Sequence, residues 1–138
     1  MTGPVNDCIF CKIIAGELPS ETIDSDERTI TVLDINPATD GHVVVFPREH
    51  AENLFDLPDE DLLATMVAAR RVGEQMKKTL APDGFNILNN TGRAAWQSVF
   101  HFHVHVIPRY AGDPLQLPWV PGPADPAHLS EIATRLRG

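Results

Sequence analysis

Three of the six histidines stand at alternate positions of one short stretch, His101, His103 and His105, with Phe102, Val104 and Val106 between and after them. In an extended strand alternate side chains share a face. The pattern therefore puts Phe100, Phe102, Val104 and Val106 toward a core and lines the opposite face with three imidazoles. A face kept for solvent is served by Thr, Lys or Glu, whereas three neighbouring imidazoles repel one another once any of them is protonated. Two chemistries suit such a row. One is metal binding. The other is phosphorus chemistry, in which an imidazole, neutral near pH 7, acts as a nucleophile while another holds phosphate oxygens. At ~3.3 Å per residue, His101 and His105 lie ~13 Å apart along a strand, so all three cannot share one metal without a sharp bend. A central nucleophile with helpers on either side fits the spacing better. A metal shared by neighbours such as His101 and His103 stays open.

The rest of the chain has to position that row. Glu21–Ile23, Thr29–Leu33, His42–Phe46, Phe85–Leu88 and His101–Ile107 read as five strands, parted by Asp24–Glu27, Asn36–Pro37 and Asp40–Gly41. Residues 59–80 read as one long helix. Leu62, Met66, Ala69, Gly73, Met76 and Leu80 recur at helical spacing, acids crowd the first turn, and Lys77 and Lys78 sit in the last. A polar loop, Asn89–Ser98, leads into the histidine row. Beyond Pro108 the chain is proline-rich and extended, and a short helix over about 127–136 closes it. Strands in quick succession around one helix predict an α+β fold on an antiparallel sheet. A length of 138 residues predicts a single domain over 1–138.

Composition narrows the partners. The net charge of −8 argues against a nucleic-acid partner, which needs a basic face, but leaves room for one small phosphate ligand. No apolar run reaches the ~20 residues of a membrane span, and Met1–Asn6 does not read as a signal peptide. The expected location is the cytoplasm. In that reducing compartment, Cys8 and Cys11 in a Cys-x-x-Cys spacing suit metal binding or redox chemistry better than a structural disulfide.

His101-Phe102-His103-Val104-His105-Val106-Ile107 resembles the signature of the histidine triad superfamily, alternating histidine with hydrophobic residues. The preceding Gln97-Ser98-Val99-Phe100 is similar to its Hint-like branch of nucleoside phosphoramidase-like proteins. The similarity extends from Cys8-Ile9-Phe10-Cys11-Lys12-Ile13 through Asp34-Ile35-Asn36-Pro37 to Pro108-Arg109.

The resemblance implies an HIT-like fold and a hydrolase or transferase acting on the α-phosphate of a purine nucleotide such as AMP or its phosphoramidates. His103 would be the nucleophile and become nucleotidylated. His105 would hold phosphate oxygens, Ser98 would assist near the leaving group, and the His101 carbonyl would orient His103. Asn90 would contact phosphate, with Gln97 beside it in the nucleotide site. Asp34 would bind the ribose hydroxyls and Ile35 the base. The resemblance also implies a structural zinc on Cys8, Cys11, His50 and His101, no metal in the chemistry, and a homodimer whose sheets join across a two-fold. Trp119 in the proline-rich tail would reach toward a partner's site. Trp96 departs from the pattern, because relatives carry Gly there. His42 and His128 read as ordinary surface or turn histidines. The rival readings are a zinc-dependent hydrolase, a nucleotide-binding adaptor without turnover, and a dinucleotide polyphosphate hydrolase.

Overall fold

The computed structural model describes residues 7–116 and 118–138. Five strands form one antiparallel sheet: β1 Thr22–Ser25, β2 Thr29–Leu33, β3 Val43–Pro47, β4 Gly84–Leu88 and β5 Val104–Arg109, in the order β1-β2-β3-β5-β4. Among the described residues three α-helices accompany it: α1 Ile9–Ile14, α2 Asp59–Thr79 and α3 Pro126–Arg137. The expected α+β class, the antiparallel sheet, the long helix and the C-terminal helix are all present.

Each face of the sheet has its own cover. On one face Val43, Val45, Phe102, Val104 and Val106 meet Ala68, Ala69, Val72 and Met76 of α2. The small alanines let the helix lie close. The buried stripe runs through Asp61, Thr65, Ala68, Ala69, Val72 and Met76, about one residue round from the expected one, and Met66 and Leu80 are exposed. Two polar residues hold this rotation because their needs are met. Asp61 pairs with Arg28 at 3.1 Å, and the Thr65 hydroxyl donates to the Asp61 carbonyl at 2.7 Å.

On the other face α1 covers Ile30, Val32, Val44 and Phe46, with the Phe10 ring stacked on Phe46 at 4.2 Å. This helix is too short to show a periodic pattern. Its signal is local: Cys8 caps it by accepting the Cys11 N–H on sulfur at 3.3 Å.

The histidine row departs from an ideal strand. The ladder was expected from residue 101 but begins at Val104. Upstream, the backbone finds other partners: the Phe102 N–H donates to the Ala51 carbonyl at 2.7 Å, and the Asn89 amide donates to the His103 carbonyl at 2.9 Å. The chain bends at residues 99–101, yet the alternation survives without the ladder: Phe102 joins the α2-side core while His101 and His103 meet Phe10 on the other face. Phe100, expected in the core, is half-buried, with the Arg93 guanidinium 5.0 Å over its ring.

Candidate functional site

The three triad histidines lie on the α1 side of the sheet. His101 is fully buried and His103 nearly so, and Phe10 meets both edge-on at 5.7 and 5.1 Å between ring centroids. The His103 and His105 rings are 5.0 Å apart. His105 is fixed on β5 opposite Val44 and Leu88. His103 and His105, with Asp34, Ile35, Ser98 and the α1 residues Ile9, Phe10 and Ile13, line a cleft of about 500 Å³ whose walls are mostly apolar. Ile35 stands almost fully exposed at its lip.

Backbone partners decide which nitrogen of each ring carries a proton. A carbonyl can only accept. His103 Nδ1 lies 2.8 Å from the His101 carbonyl, so Nδ1 holds the proton and Nε2 keeps its lone pair. His101 Nε2 lies 2.8 Å from the Pro47 carbonyl, so its Nδ1 is the free acceptor. Burial keeps the rings neutral. It lowers His101 to about 4, with the Pro47 carbonyl opposing. It lowers His103 below the ordinary 6.5, against the His101 carbonyl and Asp34. It lowers His105 to about 4, aided by His103 and His42.

The free Nδ1 of His101 faces a second cluster. Cys8 Sγ lies 3.4 Å and Cys11 Sγ 3.6 Å from it, and His50 Nδ1 lies 3.1 Å away; Cys11 Sγ is 3.4 Å from His50 Nδ1. A tetrahedron with ~2.3 Å metal–sulfur and ~2.1 Å metal–nitrogen bonds has edges of ~3.4 to 3.8 Å. The four donors sit close to that spacing, so the set fits a tetrahedral zinc. The His101 tautomer also fits, since the Pro47 carbonyl fixes its Nε2–H and frees Nδ1 as a ligand. Burial pushes the Cys8 thiol up to about 11, a direction a dication beside it would reverse.

The remaining site residues fall into three groups. Asp34 lies in the cleft, its Oδ1 accepting the Asn36 N–H at 2.8 Å. Ser98 is exposed at the junction with a neighbouring opening of about 740 Å³, bordered by Asp7, Glu52, Asp56 and Phe100. Gln97 is buried, and its side chain is engaged by backbone: Oε1 accepts the Gly92 N–H at 2.8 Å, and Nε2 donates to the Glu52 and Val99 carbonyls at 2.7 and 3.1 Å. It shapes the loop behind Ser98 and does not line the cleft. Asn90 is half-buried and also outside the cleft lining, whereas its neighbour Asn89 holds the His103 carbonyl.

One buried residue beside the site escaped the sequence reading. His42 is buried, not a surface histidine, and its Nε2 lies 2.9 Å from His105 Nδ1 and 3.5 Å from Asp34 Oδ2. The register that sets His42 beside β5 is a long-range pairing which no local pattern encodes. His128 is exposed, as expected, 3.9 Å from Glu131.

The sequence matches the HIT domain family over residues 15–112. The chain belongs to the HIT family. Among its relatives, an uncharacterized HIT-like protein of Methanocaldococcus jannaschii is 41% identical over 131 residues, covering 95% of this chain and 99% of that protein. A histidine triad nucleotide-binding protein from Candida albicans superposes with a TM-score of 0.83 at 32% identity, over 95% of both chains. A Zn-bound histidine triad family protein from Mycobacterium smegmatis gives a TM-score of 0.77 at 35% identity, over 94% of this chain and 97% of that one. Within the HIT frame Trp96 has a physical reading. Its φ of 71° lies in the left-handed region, which favours glycine. Its ring stacks on Trp119 at 6.3 Å, and both indoles stay exposed. Among the described residues no helix is long and apolar enough to cross a membrane.

Proposed function

We propose that this HIT protein is a nucleotide hydrolase or transferase that displaces an amine from the α-phosphorus of a purine nucleoside 5′-phosphoramidate through a nucleotidyl-His103 intermediate. The observation that carries the reading is the 2.8 Å hold of the His101 carbonyl on His103 Nδ1–H, which leaves a neutral Nε2 lone pair at a cleft of nucleotide size. Asp34 at the rim suits ribose hydroxyls, and Ile35 gives the base an apolar wall.

Nε2 attacks phosphorus as the phosphorus–nitrogen bond breaks. The bonding pair leaves with the amine nitrogen, which takes up a proton from solvent, and the Ser98 hydroxyl, at the mouth of the cleft, would hydrogen-bond that nitrogen. His105 faces the phosphate oxygens as negative charge builds on them. Water then attacks the nucleotidyl-histidine. The nucleotide departs with the water's oxygen, His103 recovers its lone pair, and a proton passes to solvent. The same nucleophile serves a dinucleotide polyphosphate if the leaving group changes. Asn89, through the His103 carbonyl, is placed to brace the nucleophile's backbone.

Zinc on Cys8, Cys11, His50 and His101 completes the reading. Four protein donors fill a tetrahedron and leave no position for substrate, so the metal would tie α1 to the residue that orients His103. The zinc-bound mycobacterial relative supports it. A homodimer is part of the reading, and the exposed edge of β4, where Asn86, Ile87 and Leu88 are solvent-facing, supports it. The expected site of action is the cytoplasm.

Release of AMP from an adenosine 5′-phosphoramidate carrying a fluorescent amine tests the chemistry. Turnover that disappears in His103→Ala but survives EDTA supports it. AMP binding without turnover in the wild type would favour an adaptor, and turnover abolished by brief chelation without unfolding would favour a metal hydrolase. Metal analysis should give one zinc per chain, lost in Cys8→Ser. Sedimentation should give twice the mass of one chain.

A further inference from the structure

His42 is a buried imidazole directly behind His105, outside the cleft lining, and the proposed chemistry leaves it without a role. Its surroundings are asymmetric. The backbone N–H of Ala38 donates to His42 Nδ1 at 2.9 Å. A backbone N–H has only a proton to offer, so Nδ1 is an acceptor and the His42 proton must sit on Nε2. That Nε2–H points at His105 Nδ1, 2.9 Å away, with Asp34 Oδ2 at 3.5 Å as the nearest anion. His105 Nδ1 is then itself an acceptor, and its single proton is forced onto Nε2.

We propose that His42 is a positioning residue that relays the direction of the Ala38 amide to His105, locking His105 as a neutral ring that presents Nε2–H to the cleft. Three links make the relay: a backbone donor, an imidazole bridge, and the imidazole that lines the cleft beside the nucleophile. Each hydrogen bond fixes the next ring's tautomer. The relay gives adjacent rings of one strand opposite duties. His103 is held by a carbonyl and keeps an Nε2 lone pair; His105 is held by an N–H and offers an Nε2 proton. Were His105 to carry its proton on Nδ1, two protons would face each other across 2.9 Å, and two lone pairs would face the phosphate. The site would then hold two nucleophilic nitrogens and no donor from the triad.

The relay deepens the proposed phosphoryl chemistry and rests on it for its purpose, but the tautomers are measurable without turnover. The experiment is a long-range ¹H–¹⁵N correlation spectrum of the full chain labelled with ¹⁵N-histidine, with and without AMP. It is recorded for the wild type, His42→Gln and His42→Asn, with His105→Gln for assignment. Gln places an N–H₂ donor where His42 Nε2 stands. Asn keeps an acceptor for Ala38 but cannot reach His105. The wild type should show His105 protonated on Nε2 alone, and His42→Gln should keep that pattern. His42→Asn should show His105 averaging between tautomers, with kcat down by at least about tenfold, toward the ~10²- to 10³-fold cost of losing a whole donor. Its AMP affinity should fall less than its kcat, and Gln should restore part of the rate. A wild-type His105 protonated on Nδ1 overturns the relay even if no His42 variant folds. So does an unchanged His105 pattern in a folded His42→Asn. A relay seen in the spectra of a protein that turns over no phosphoramidate would overturn the choice of reaction and leave the tautomers standing.

Discussion

Acid should cost this fold a specific amount through His105. The ring titrates near 6.5 in an unfolded chain and near 4 when folded, burial being the main cause. Between those values the unfolded chain binds a proton that the folded chain refuses. The contribution is therefore fully present above pH 6.5 and is lost as pH falls toward 4. At pH 4.5 the two values correspond to a loss of ~2.5 kcal/mol, of the order of 1.4 kcal/mol per pH unit in the window. The side chain is 17% exposed, so solvent screening trims this only modestly. The assay is urea unfolding of the wild type and His105→Gln at pH 7.5 and 4.5. The stability of the wild type relative to the variant should fall by ~2 to 2.5 kcal/mol on acidification. Both proteins keep Cys8, Cys11, His50 and His101, so the acid sensitivity of that cluster cancels in the difference. A difference that stays constant to within about 0.5 kcal/mol would refute the reasoning, since that is the scatter expected of independent sites.

Three substitutions test the backbone that supports the site. Ala81, just past the end of α2, has a φ of 47°, so Ala81→Gly should raise stability by about 0.5 to 1 kcal/mol, read as a higher denaturation midpoint. Gly41, next to His42, has a φ of 96°, and a Cβ there would stand 2.5 Å from Leu80 Cδ1. Gly41→Ala should therefore cost about 1 to 3 kcal/mol and disturb the His42 resonances. Trp96→Gly relieves a left-handed φ but loses the stack on Trp119, so stability should move by less than about 1 kcal/mol, while Trp119 emission shifts to the red and selectivity among bulky leaving groups changes.

What the sequence revealed and what it hid separate along physical lines. Strict alternation at Phe102, Val104 and Val106 was enough to sort core from site, because side-chain period does not depend on which partner supplies the hydrogen bonds. The cluster of Cys8, Cys11, His50 and His101 was readable from ligand types and family resemblance. The rotation of α2 was not, because Asp61 and Thr65 count as polar in any pattern and become buried only once Arg28 and a carbonyl satisfy them. His42 was hidden for a related reason. A lone histidine beside a turn has only the Ala38 amide as a local partner, and its contact with His105 appears only when β3 pairs with β5. Gln97 shows the opposite failure. A motif names it beside Ser98, yet its amide is engaged by three backbone groups of the surrounding loops.

The orientation of His103 by a neutral carbonyl, not a carboxylate, has a consequence for its chemistry. A carboxylate on Nδ1–H would stabilise the imidazolium, raise the ring's pKa and leave less free nucleophile at a given pH. The His101 carbonyl fixes the same tautomer with only a partial charge, and burial outweighs it, so His103 lies below its ordinary 6.5. A dication on the Cys8, Cys11, His50 and His101 cluster would push in the same direction. As the proposed nucleophile, His103 should thus stay unprotonated through neutral and mildly acidic pH. Single-turnover nucleotidylation of the wild type should remain flat from pH 8 down past 6.5 before it declines. A decline centred at or above the ordinary histidine value, with the fold intact by circular dichroism, would mean that the carbonyl and the apolar cover of Phe10 do not control the ring that attacks.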